Sequence, residues 1–80
     1  MYDYSKLPIR LQEPMKLYAE DRIRPGGFLT ALLSNDLILT FRQADKNNEP
    51  EIINIIFWVF WELPVGSWGS REKVEEWLGN

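Results

Sequence analysis

Pairs of neighbouring carboxylates are the side chains of this 80-residue sequence that could perform acid–base chemistry or bind a hard cation. They include Glu20 with Asp21, Glu49 with Glu51, and Glu75 with Glu76. Neighbours on a helix point to different sides, so such pairs are typical of a solvated helix surface. The sequence has no His and no Cys, which excludes thiolate nucleophiles, imidazole bases and the usual zinc ligands. We therefore expect a protein that is not an enzyme and has no metal site or cofactor.

A run of four residues, Trp68-Gly69-Ser70-Arg71, combines an aromatic stacking plane, a glycine, a hydroxyl and a guanidinium at a predicted helix start. These groups suit a nucleobase and a phosphate. The alternative is structural: Trp68 folds back over the last helix and Ser70 is an ordinary helix cap. The run alone does not decide between the two interpretations.

A second glycine-bearing helix start, Arg24-Pro25-Gly26-Gly27, could bind an anion, because the first N–H groups of a helix are unpaired and glycine lets a phosphate approach. A tight turn between helices is the alternative. Two such starts in one small domain, with Arg22 also nearby, predict a pocket for a small nucleotide-like ligand. The predicted ligand-binding residues are Arg24, Pro25, Gly26, Gly27, Trp68, Gly69, Ser70 and Arg71.

The net charge of -3 has the wrong sign for a protein held on duplex nucleic acid, although a local pocket can still be positive. The start of the chain, MYDYSKLP, lacks the features of a signal peptide. The most apolar stretch, 52 to 61, is too short to cross a bilayer. Together with the lack of Cys, these features predict a cytoplasmic protein with no membrane partner.

Prolines and small polar residues divide the chain into short helices. Gln12-Glu13-Pro14 predicts the start of the first helix, because proline is tolerated in a first turn. Arg24-Pro25-Gly26-Gly27 then opens a second helix. The predicted apolar sides are Met15, Leu17, Tyr18 and Ile23 for the first helix, and Phe28, Leu29, Leu32 and Leu33 for the second.

Ser34-Asn35-Asp36 predicts a corner, since all three residue types favour caps and turns. A third helix follows, with Leu37, Phe41 and Ala44 buried at helical spacing. The alternative is one continuous helix through this point.

Asn48-Glu49-Pro50-Glu51 predicts the start of a fourth helix, with a cap, an early proline and acids at the positive end of the helix dipole. The residues that follow are rich in β-branched and aromatic types, which favours a strand. Because a strand would be apolar on both faces, we favour the helix. Ser70 then caps a last helix whose inward residues are Val74, Trp77 and Leu78. The sequence thus predicts an all-α fold, a single domain over residues 1–80 with four to five short helices.

The fourth helix is apolar all round and needs cover on every side. Ile55, Trp58 and Trp61 lie on one side of it, and Ile52, Ile56, Val59 and Phe60 lie on the opposite half. Four short neighbours can hardly cover both, so we predict a homo-oligomer interface at Ile55, Trp58 and Trp61. A central core helix is the alternative.

Three segments, PGGFLTA from Pro25, LSNDL from Leu33 and WGS from Trp68, resemble a family of small uncharacterised proteins encoded by phages and prophages. The likeness spans most of the chain. This sequence departs from the family pattern at Arg71, where proline is usual. The resemblance implies a viral accessory protein acting in the host cytoplasm, and small phage proteins of this kind often inhibit host defences.

The residue patterns predict a non-enzymatic homo-oligomer that captures a small anionic ligand. The resemblance to phage proteins implies an anti-defence sponge, with a nucleotide immune signal as the ligand. The alternative is a module that binds and inhibits a host or phage protein through an aromatic and acidic surface. A carboxylate-based hydrolase is a distant third, since no base with a tuned neighbour is evident.

Overall fold

Five α-helices joined by short turns form the computed structural model of the chain, which describes residues 2–79. They are α1 (Ile9–Asp21), α2 (Gly27–Leu33), α3 (Leu37–Gln43), α4 (Ile52–Glu62) and α5 (Arg71–Trp77). Short 3-10 turns lie at Tyr4–Lys6, Glu49–Glu51 and Val65–Ser67. Residues 2–79 contain no β-strand. The all-α prediction is confirmed, and α4 is a helix rather than the rival strand.

The start of α1 lies at Ile9, three residues before the Gln12 that the sequence predicts. Pro8 is the residue before the helix, and Pro14 lies inside it. An interior proline cannot donate to the carbonyl four residues back, here that of Arg10, and it normally kinks or breaks a helix. The buried residues of α1 are Leu11, Met15, Tyr18 and Ala19.

The end of α1 is formed by Arg22, which adopts a left-handed backbone conformation with φ of 58°. This conformation lets the Ile23 N–H donate to the Leu17 carbonyl at 3.1 Å, as in a helix-ending motif that usually employs glycine. The Ile23 side chain is exposed. Its predicted place on the apolar side of the first helix is therefore wrong.

The predicted corner between α2 and α3 is confirmed. Asn35 is left-handed, with φ of 62°. The Asp36 carboxylate accepts a hydrogen bond from the Leu39 N–H at 3.1 Å and so caps α3. The two helices are separate, and α2 buries Phe28, Leu29, Leu32 and Leu33 as predicted.

The orientation of α3 differs from the prediction. Leu37 and Phe41 are exposed, Ala44 is half-buried, and Thr40 is the buried residue of the helix. The Thr40 hydroxyl donates to the Asp36 carbonyl at 2.6 Å, so its burial leaves no unpaired polar group. The tight corner sets the direction in which α3 leaves α2, and this direction overrides the apolar pattern of α3 itself.

The core is one cluster to which every helix except α3 contributes. Its fully buried apolar members are Met15, Tyr18, Leu33, Ile52, Ile55 and Val74. Trp77 and Leu78 pack against it from α5, so the inward side of the last helix is confirmed. Buried polar groups are paired: the Tyr18 hydroxyl donates to the Ser67 carbonyl, and the Trp58 Nε1 donates to the Asp3 carbonyl at 2.8 Å.

Candidate functional site

The start of α2 holds one half of the predicted ligand site. Pro25 is buried, and its carbonyl accepts a hydrogen bond from the Thr30 hydroxyl at 3.1 Å. Gly26 is the N-cap of α2, and Gly27 is its first residue. A Cβ on Gly27 would lie 3.1 Å from the side-chain oxygen of Gln43, so the close approach that this glycine permits is occupied by α3. The feature supports the interhelical turn that was the alternative interpretation.

Arg24 faces α5. Its guanidinium forms an ion pair with the Glu75 carboxylate at 2.6 Å, and the hydrogen bond to Glu75 raises the pKa of Arg24 above its ordinary value. The cation that the sequence assigned to a phosphate is therefore paired within the chain. Because both side chains remain partly in water, which screens their charges, the pair contributes little to stability.

The other half of the predicted site, Trp68 to Arg71, is engaged in local structure. The Gly69 N–H donates to the Leu33 carbonyl at 2.8 Å, with a φ of 113° that favours glycine. The Ser70 hydroxyl accepts from the Lys73 N–H at 3.1 Å, which confirms it as the cap of α5. Arg71 is exposed and lines a shallow depression with three carboxylates, Glu72, Glu75 and Glu76. Those carboxylates oppose the approach of a phosphate.

The two glycine-bearing segments lie at opposite ends of α2. One includes Gly27, the first residue of the helix, and the other is bonded to Leu33, the last. These ends are roughly 9 Å apart along the helix axis. The contact between Arg24 and Glu75 shows that α5 runs back along α2 from one end to the other. The structure thus places both segments beside the same helix without bringing the glycines together.

The predicted interface on α4 needs correction. Ile55 is fully buried and Trp58 is 5% exposed within the single chain, so neither can serve as a free interface residue. Trp61, the third predicted member, is 75% exposed. The expectation that the chain cannot cover all of α4 holds for the part of the helix on which Trp61 lies. The interface prediction chose the wrong side for the other two residues, because Asp3 and Tyr4 from the start of the chain pack against Trp58.

An exposed apolar surface lies on α3 and α4, and Trp61 is the one member of it that sequence reasoning assigned to an interface. Its members on α3 are Leu37, Ile38 and Phe41. Its members on α4 are Ile53, Ile56, Phe57, Phe60 and Trp61. Patches above about 300–600 Å² are unusual on monomeric proteins and mark interaction sites. The available signal was the apolar character of α4 around its whole circumference, from which sequence reasoning chose Ile55 and Trp58, which are buried, together with Trp61, which is exposed.

A groove between α3 and α4 opens into this surface. We define the α3–α4 groove by its apolar lining: Leu32, Leu37, Ile56, Val59, Phe60 and Trp68. It encloses a cavity of about 150 Å³. A cavity of this size in an apolar setting holds one benzene-sized group. Drug-sized ligands and nucleotides need about 300–1,000 Å³, so the groove fits a single side chain better than a nucleotide.

Three of the polar groups at the groove form hydrogen bonds within the chain. The Asp36 carboxylate caps α3, the Thr40 hydroxyl bonds to the Asp36 carbonyl, and the Trp68 Nε1 donates to the Leu63 carbonyl at 3.4 Å. The Trp68 ring packs on Phe60 with 5.9 Å between ring centres. The groove is therefore lined mainly by apolar side chains, with Asn35, Asp36 and Thr40 as its polar members.

Known proteins offer no further guide. No family model, curated protein or solved structure matches this chain significantly. Within residues 2–79, none of the helices has the length and apolar character required to span a bilayer. The same residues contain no cluster of three or more carboxylates placed to hold a metal ion.

Proposed function

We propose that this protein is a non-enzymatic binding module whose α3–α4 groove receives an apolar anchor side chain from an amphipathic helix of another protein. The observation that carries the proposal is the 150 Å³ apolar cavity set between two helices and flanked by exposed apolar side chains. Helices that dock into such grooves insert one or a few large apolar residues. Phenylalanine or leucine fits the volume.

The charge of the chain favours a partner helix with a basic polar face. The net charge is -3, and Asp36 lies at the groove edge. Complementary charge speeds encounter and selects among partners more than it adds affinity. The resemblance to phage-encoded proteins supports a setting in the host cytoplasm. The protein whose helix occupies the groove would be a host or phage protein, and its capture would inhibit it.

Nucleotide sequestration stays a prediction of the sequence. The geometry favours the groove over that function for two reasons. Arg24 is paired with Glu75, and Arg71 stands among carboxylates. A nucleotide would have to displace Glu75 from Arg24 and overcome the negative charge of the carboxylates around Arg71.

A display library of amphipathic helical peptides with basic polar faces tests the proposal. We expect the wild-type protein to enrich peptides with Phe or Leu at the centre of the apolar face. In solution, replacing that anchor with Ala should weaken binding by about tenfold or more, measured by fluorescence anisotropy. Enrichment of no peptide, or no loss on removal of the anchor, would contradict the proposal.

Two neighbouring residues of α3 provide a matched pair of protein variants. Leu37→Asp places a charge on the groove wall, whereas Ile38→Asp changes a more exposed residue outside the groove lining. We expect the first to abolish peptide binding and the second to change it by less than about threefold. Circular dichroism of both variants verifies folding. If cyclic nucleotides bind instead, and Leu37→Asp has no effect on them, the sequestration function replaces this proposal.

A further inference from the structure

Part of the exposed apolar surface on α4 lies outside the groove. We define the outer face of α4 as Ile53, Phe57 and Trp61, none of which lines the α3–α4 groove. Ile53 is 61% exposed and Phe57 is 58% exposed. The residues from 52 to 61 include no charged side chain, and the one polar residue, Asn54, donates a hydrogen bond to Glu51 at 3.2 Å. We infer that the outer face of α4 binds a second copy of this chain, forming a two-fold symmetric dimer.

The size of this face suits a small dimer. Large aromatic side chains have about 150–250 Å² to bury. The three residues, with the adjoining exposed part of Phe60, leave roughly 500–700 Å² of apolar surface per copy in water. Two copies packed face to face would bury about 1,000–1,400 Å² in total, which reaches the lower range of specific protein interfaces. The whole chain has an accessible surface of 5090 Å², so more than a tenth of it would be covered.

Charge at the edge of the face favours a second copy over a foreign partner. A shallow depression along this edge is lined by Lys6 and Glu62 together with Phe57 and Trp61. A two-fold axis brings the same edge of both copies together, so a cation and an anion on one edge can pair with each other across the dimer. A foreign partner would need the opposite charges in matching order. The charges of Lys6 and Glu62 at the edge of this face are therefore complementary to those of the same edge in a second copy.

Trp61 is placed to anchor the contact. It is 75% exposed, and its ring meets Phe60 edge to face, with 5.0 Å between centres. A tryptophan held by a neighbouring ring loses little conformational freedom on binding, and tryptophan is enriched among residues that dominate interface energy. Self-association also supplies the additional stability that a small domain without disulfides usually requires.

The dimer would cover part of Phe60, which also lines the α3–α4 groove, and would not involve the other residues that line the groove. Two grooves on one particle would allow bivalent binding of a partner with two anchor helices. The inference does not depend on the proposed partner, because it rests on Ile53, Phe57 and Trp61, which lie outside the groove lining, and on a different occupant.

Sedimentation velocity of the full chain tests the inference. We expect a particle of twice the 9.5 kDa chain mass at concentrations of about 100 µM. Trp61→Asp should convert it to a monomer with an unchanged helical spectrum, whereas Ile9→Asp, at an exposed residue on α1, should leave the dimer intact. A wild-type monomer at that concentration would overturn the inference. So would a dimer that survives Trp61→Asp and dissociates with Leu37→Asp, since the interface would then be the groove.

A charge exchange tests the edge separately. Lys6→Glu and Glu62→Lys should each weaken the dimer by about threefold to tenfold at low salt, and the double variant should recover most of the loss. Recovery requires that the two side chains meet across the interface. If the single variants weaken the dimer and the double variant weakens it further, the proposed pairing is wrong.

Discussion

The guanidinium carbon of Arg22 lies 3.5 Å from the centre of the Trp77 indole ring. The same guanidinium donates to the Trp77 carbonyl at 3.1 Å, and the Trp77 Nε1 donates to the Tyr18 carbonyl at 2.9 Å. These three contacts join the end of α1 to the end of α5. Because α5 has only seven residues, it depends on such contacts to remain helical.

Replacement of Arg22 measures the contact with Trp77. Arg22→Ala should lower the free energy of unfolding by about 0.5–1 kcal/mol, the usual value for an exposed cation over an aromatic ring. Arg22→Lys keeps the charge but loses the planar group, and we expect an intermediate loss. Urea denaturation of the three proteins measures the difference. Equal stability of all three would show that the contact contributes nothing.

The two sides of α4 should respond differently to the same substitution. Ile55→Ala removes buried methyl groups and should cost about 2–5 kcal/mol, whereas Ile53→Ala should cost less than about 0.5 kcal/mol in the monomer. Thermal and urea denaturation, with Trp61→Asp present to prevent association, provide the comparison. A larger loss at Ile53 would mean that the core lies on the other side of α4.

Tyr18 should make stability fall at high pH. Burial raises the pKa of Tyr18 from 10.0 to about 12, so the folded state holds the phenol proton more tightly than the unfolded state does. The stabilisation is complete below pH 10 and is lost as the pH rises from 10 towards 12. Urea midpoints at pH 9 and pH 11.5 should show a decrease that is smaller in Tyr18→Phe.

Tyr4 requires a control in that experiment. Burial and a hydrogen bond to the Glu20 carboxylate also raise the pKa of Tyr4. In Tyr4→Phe, the urea midpoint should still decrease at high pH by the amount that Tyr18 contributes. If Tyr4→Phe removes all of it, the decrease arises at the start of the chain instead.

Gly27 and Gln43 form a pair that tests why a glycine opens α2. An added Cβ would meet the Gln43 side-chain oxygen at 3.1 Å, so Gly27→Ala alone should give little gain or a small loss. In a Gln43→Ala background the obstacle is gone, and the same change should stabilise the chain by up to about 0.5–1 kcal/mol. A double-mutant cycle of melting curves measures the coupling. No coupling would mean that Gln43 does not restrict this residue.

Helix boundaries could be predicted wherever a capping side chain or a strong turn-forming residue lies within a few residues of the boundary. Asp36 and Ser70 each bond to the N–H three residues ahead, and Asn35 adopts the left-handed conformation that asparagine tolerates. These are local interactions, so residue type and spacing are enough to recognise them. The start of α1 was missed, because Pro14 lies inside the helix, where a proline normally marks a start or a break.

The candidate site was harder to predict from the sequence than the helix boundaries were. The predicted ligand residues were read correctly as helix starts, but their partners, Glu75 for Arg24 and Leu33 for Gly69, come from other helices. Exposed Leu37 and buried Thr40 reverse the usual preference, because the corner before α3 sets its direction. The groove between α3 and α4 therefore had no local signal.

The sequence by itself determined that the chain is all-helical, where most of its helices begin and end, and that α4 is too apolar to be covered by so short a chain. Only the tertiary structure decided which side of α4 is covered. Both sides are apolar, and the hydrophobic effect has no direction of its own. The choice depends on residues distant in sequence from α4. Asp3 and Tyr4, near the start of the chain, contact Trp58, whereas Trp61 stays exposed to water.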